Sequence, residues 1–175
     1  MKYSKLTTLN FMALCCVLGL FTKKLINPFA NVITDALHIP GGVSTAFSIM
    51  FLVIGQELVR VPKGGTLMTM VQGLLALVLG RVGSMGILMP LGYIVTGIAI
   101  DLIYGLEKKL HLNQIERMIF ANALAAVMAS AFANLVVFRL RGPVLLLYLC
   151  VSLISGTAFG YIASIIAKRL KVISR

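Results

Sequence analysis

The residues best placed to do chemistry in this chain are Asn31, Asp35, His38, Gln72, Arg81, Tyr93 and Asn134. Their types suit hydrogen-bonded and charged recognition of a small molecule rather than bond-making. No paired-histidine motif, Walker-type glycine loop, or nucleophile with base and orienter accompanies them. Gly156-Thr-Ala-Phe-Gly160 only echoes a nucleophile elbow, because it lies in an apolar run and carries Thr rather than Ser near its start. Cys15, Cys16 and Cys150 fall inside apolar runs without metal-ligand spacing and read as small hydrophobes. The two histidines are too few for a metal path. The expectation is therefore no enzyme, no metal and no cofactor.

Three of these residues belong to the one long polar interruption, 22–42, TKKLINPFANVITDALHIPGG. Phe21, Leu25, Phe29, Ile33 and Leu37 recur every four positions, on one helical face, with Lys24, Asn27, Asn31, Thr34 and Asp35 largely elsewhere. Asn27-Pro28 reads as a helix start and Pro40-Gly41-Gly42 as its end. The pattern predicts a lid-like amphipathic helix between the first and second apolar runs. The alternative is an interfacial helix that only anchors the fold.

A hydrophobic fraction of 59%, a mean hydropathy of +1.01 and only 12% charged residues could not cover a water-soluble surface. The 175 residues read as a single all-α integral membrane domain, 1–175. The net charge of +11 does not point to nucleic acid, since the bases sit in connectors rather than in a stripe with aromatics between them. Lys2 and Lys5 before an apolar run suggest a signal peptide. Thr22-Lys23-Lys24 follows in place of a small-residue cleavage site, so the run reads as a retained first helix.

Six apolar runs are expected to span: 6–21, 43–59, 66–80, 85–106, 118–138 and 144–167. The third is the shortest, reaching about 22 Å against a hydrocarbon core of about 30 Å. Charge tests it. With six spans and both termini cytoplasmic, 11 bases lie inside and five (Lys23, Lys24, Arg81, Arg139, Arg141) outside. If the third run did not cross, the split would be seven inside and nine outside. The positive-inside rule favours six spans.

On that layout Tyr93 and Asn134 fall in the outer half of the membrane and Gln72 near its middle. They could line a pocket under the lid with Arg81 at its mouth, or form hydrogen bonds between helices. Glu57 and Asp101 fall toward the cytoplasmic ends and are expected to pair with Arg60, Lys63 or a connector base. Small residues repeat every fourth position at Ala121, Ala125, Ala129, Ala133, with Asn122, Ala126, Ser130, Asn134 beside them, and at Ser152, Gly156, Gly160, Ser164. Such faces pack helices closely in lipid, either on each other or on a further membrane protein.

Leu37-His38-Ile39-Pro40-Gly41-Gly42, Lys63-Gly64-Gly65 and Met89-Pro90-Leu91-Gly92-Tyr93-Ile94-Val95-Thr96-Gly97 complete a resemblance. In layout and in these segments the chain resembles the S component, the substrate-binding membrane subunit, of energy-coupling factor (ECF) type ABC transporters. The last segment is similar to the Pro-x-Gly-Tyr-x-x-Gly pattern of that family's fourth helix. The resemblance implies capture of a vitamin or related micronutrient at the outer face of the cell membrane. It also implies a transmembrane coupling subunit and two ATPase subunits as partners. The family's Ala-x-x-x-Ala docking step falls here on Ala13 and Val17, so its second small residue is missing, and Cys15-x-x-x-Gly19 with Cys16 is a partial substitute. A self-sufficient small transporter or channel is the alternative, and would need a coupling path built from Glu57 and Asp101. A ligand-free membrane scaffold is the third class.

Overall fold

The computed structural model describes residues 5–36, 43–80, 86 and 88–173, with side chains left out at 5–7, 23–24, 29–36, 172 and 173. Among these residues every regular element is helical: α1 (Lys5–Ala36), α2 (Val43–Val59), α3 (Gly64–Val78), α4 (Met89–Leu106), α5 (Gln114–Phe132), and α6 (Pro143–Ile173). A π-helical turn, Ala133–Val137, prolongs α5. Thr8–Pro28, Met89–Leu106, Gln114–Val137 and Pro143–Lys171 are long and apolar enough to cross a membrane. Helices α2 and α3, at 17 and 15 residues, are apolar but shorter.

Consecutive helices pack antiparallel. Gly19 faces Ser48 and Cys15 faces Gly55 between α1 and α2. Gly65 lies on Ile100, and Gly73 on Tyr93, between α3 and α4. Gly160 lies on Ile119 and Gly156 on Ala123 between α5 and α6. The weak third run therefore does lie along its neighbours, and Cys16–Met68 and Gly19–Gln72 contacts show α3 running parallel to α1. The up-and-down order puts the ends of α2, α4 and α6 and the starts of α1, α3 and α5 at one end of the bundle. The most central helix is α2, which packs on α1, α3, α5 and α6. Its Ala46, Ile49, Met50, Leu52 and Val53 form one core with Met68, Ile100, Met118, Ala121 and Ala163.

One expectation is corrected here. Asn27-Pro28 does not start a separate helix, because α1 continues through Pro28 to Ala36. Proline removes one backbone donor and crowds one carbonyl, and a long apolar helix tolerates that loss where the flanking turns hold. Of the two readings of the small-residue faces, packing of the helices on each other is the one observed. A Cβ at Gly156 would stand 2.8 Å from Ala123 Cα, and one at Gly160 2.7 Å from Ile119 Cα. Ser152 and Ser164 are buried with them, and so are Ala121, Ala125 and Ala126. These faces pack on each other within the chain.

Candidate functional site

Of the residues expected to recognise a ligand, His38 and Arg81 lie outside the described residues, and Asn31 and Asp35 are placed only as positions one turn apart on the last turns of α1. Gln72 is buried on α3, and its Nε2 donates to the Cys16 carbonyl at 3.2 Å. It presses against Gly19, where a Cβ would stand 2.6 Å from Nε2. Beside it Ser48 Oγ donates to the Gly19 carbonyl at 2.9 Å, and Cys16 Sγ to the Met68 carbonyl at 3.3 Å. Three polar bonds thus join α1, α2 and α3 at one level, where unpaired polar atoms would be costly.

Tyr93 sits on α4 opposite Gly73 and packs on the cluster of Leu20, Ala76 and Met89. Gln72 and Tyr93 therefore flank the same stretch of α1, residues 16–20. Asn134 is the second residue of the π-helical turn at the far end of α5. Its Nδ2 donates to the Ser130 carbonyl at 2.8 Å and to Ser130 Oγ at 3.1 Å. The turn closes with Phe138 N donating to the Ala133 carbonyl and Leu140 N to the Asn134 carbonyl. Such turns within helices are frequent at functional sites.

The densest polar site is one the ligand-directed reading did not contain. Glu57, at the end of α2, has a fully buried side chain that joins four elements. Arg117 of α5 meets it in a fork, Nη2 to Oε2 at 2.8 Å and Nε to Oε2 at 3.1 Å. Lys171 of α6 donates to Oε1 at 2.6 Å, Tyr104 Oη of α4 to Oε2 at 3.2 Å, and Arg60 to Oε1 at 3.1 Å. Arg117 also pairs with Glu107 at 2.7 Å and lies over the Tyr104 ring, 5.4 Å from its centroid. The expected Arg60 partner is present, but Arg117 and Lys171 make the burial tolerable, since an ionised carboxylate needs paired and bonded surroundings.

Asp101 departs from its expected pairing with a base. Its carboxylate accepts from the backbone N–H of Gly65 and Thr66 at 2.9 and 2.8 Å, and from Thr66 Oγ1 at 2.6 Å. It caps α3 from a neighbouring helix. Lys63, the residue before α3, has φ 57° and no capping side chain, so the first N–H groups of α3 take their acceptor from α4. Glu116 is used locally, accepting from Asn113 N at 2.9 Å. Among the described residues no three His, Cys, Asp or Glu side chains group as metal ligands.

Compared with known proteins, the chain matches no family model, no curated protein and no solved structure.

Proposed function

We propose that the chain is a membrane-embedded solute-binding subunit of the kind its sequence resembles, the S component of an ECF-type transporter. It would capture a vitamin-like micronutrient at the outer face of the cell membrane, for uptake driven by a coupling subunit and two ATPases. In this reading all six helices cross, and the Glu57 end, with both termini, is cytoplasmic. The far turns of α1 and the connector after it cover the ligand, and Asn31, Asp35, His38, Gln72, Arg81, Tyr93 and Asn134 surround it.

One observation carries the reading. Glu57 and Asp101, the two acids that fall within the apolar runs of the sequence, are both engaged in structural bonds, the first saturated by bases and a phenol, the second capping α3. A secondary transporter needs an intramembrane charge free to change partners. A subunit that borrows its energy from ATPases does not. The test is uptake by the purified protein in liposomes. Binding without accumulation against a gradient is expected, whereas concentrative uptake with no ATPase present would reject the subunit reading in favour of a self-sufficient transporter.

A further inference from the structure

The far end of the bundle carries charge that the Glu57 end does not explain. All the acids of the chain except Asp35 lie at or near the Glu57 end, where they bond to bases or backbone. The far end has Lys23 and Lys24 as positions on α1, and Arg139 and Arg141 between α5 and α6. Arg139 and Arg141 are exposed, and among the described residues neither forms an ion pair. Arg139 has φ 53°, in the region that favours glycine. It is held there between the Phe138–Ala133 and Leu140–Asn134 backbone bonds that close the π-helical turn. Asn134, within that turn, is buried, and its carbonyl takes the Leu140 N–H next to Arg139 and Arg141. Membrane insertion disfavours bases at an outer end. Bases kept at that end with little acid to balance them draw anions toward it and raise their local concentration.

From this we infer that the corner formed by Arg139 and Arg141, tied to Asn134 through the Leu140 N–H, receives an anionic solute, one bearing a carboxylate or phosphate. The inference rests on the solute-binding reading above and narrows it to a class of ligand. Guanidinium groups suit both anions because their planar donors meet two oxygens together.

The test uses the whole chain in phosphatidylcholine nanodiscs. A small-solute cell extract is split by ion exchange at neutral pH into anionic, neutral and cationic pools, and the melting temperature is measured with each. The anionic pool alone should raise it. In Arg139→Gln/Arg141→Gln the apparent affinity, from dilution of that pool, should fall about tenfold or more. Lys108→Gln/Lys109→Gln, at the Glu57 end, should bind as the parent does. Stabilisation by the neutral or cationic pool overturns the inference. So does an arginine-dependent rise on adding phosphatidylglycerol to the disc with no effect of the anionic pool, which would identify a lipid headgroup as the ligand. If no pool acts, the solute-binding reading falls, and the corner is judged by thiol chemistry. With Val144→Cys in a Cys150→Ser background, a preference for anionic over cationic methanethiosulfonate that vanishes in the arginine double variant upholds an anion-attracting corner. Equal rates overturn it.

Discussion

A carboxylate that accepts from Arg60, Arg117, Lys171 and Tyr104 together is a structural anchor rather than a proton carrier. Removing its charge strips the buried Arg117 guanidinium of this partner, and stranding one partner of a buried pair costs about 3–5 kcal/mol. Glu57→Gln should therefore lower unfolding free energy in detergent by about that amount. Glu57→Leu combined with Arg117→Met should cost less than the two single changes added, because both charges leave together. A Glu57→Gln protein within about 1 kcal/mol of the parent would show that the network does not hold the bundle. Lys171 lies 114 residues from Glu57, so no local spacing could announce the pair. The sequence does show a glutamate in an apolar run, and that position alone calls for a base beside it. Which distant bases arrive depends on the helix register. At the proposed ligand site, Asn31→Ala, Asp35→Ala and Asn134→Ala are each expected to weaken binding by about 1–3 kcal/mol, or about 5- to 150-fold. Titration of well-folded variants decides it. If all three bind as tightly as the parent, those residues do not touch the ligand.

Element by element, apolar runs carried most of what was legible. The second and third runs match α2 and α3 closely, and the fourth, fifth and sixth differ from their helices mainly at the ends. Pro28 misled because a proline at a helix start and one inside a helix leave the same local signature. Asp101 misled in another way. An aspartate near bases suggests an ion pair, while its partner is the bare start of α3, a vacancy visible only once two helices lie side by side. Losing a helix cap costs about 0.5–2 kcal/mol, so Asp101→Ala should destabilise by that range and speed hydrogen exchange at Gly65 and Thr66. Unchanged exchange there would contradict the cap. Glycines give a sharper contrast. Gly156→Ala places a methyl against the backbone of α5 and should cost about 1–3 kcal/mol. Gly105→Ala meets nothing within 4 Å and should be neutral or stabilising, by up to about 1 kcal/mol, through helix propensity. Equal effects of the two would mean that α5 and α6 are not in the close contact described.

At the scale of the whole molecule, antiparallel packing sorts the charged connectors into two sets. Arg60, Lys63, Lys108, Lys109, Arg117, Lys168, Arg169 and Lys171 gather at the Glu57 end, and Arg139 and Arg141 at the other. This arrangement turns a count along the sequence into a spatial asymmetry, and the proposed orientation rests on reading that asymmetry by the positive-inside rule. Helix α3 is short, since its 15 residues rise only about 22 Å. It lies along α4 from Gly65 to Gly73, and in the proposed six-span reading the bilayer thins or flanking groups reach outward to match it. The expectation is that Lys109→Cys, in a Cys150→Ser background, is shielded from an impermeant maleimide in intact cells, while Arg141→Cys is labelled. Cys15 and Cys16 are buried and should stay silent in both. Labelling of Lys109→Cys from outside would invert the bundle. Labelling of both sites would mean that α5 does not cross at all. If only Arg141→Cys reacts, the Glu57 network faces the cytoplasm, where ATPase partners would have to meet it.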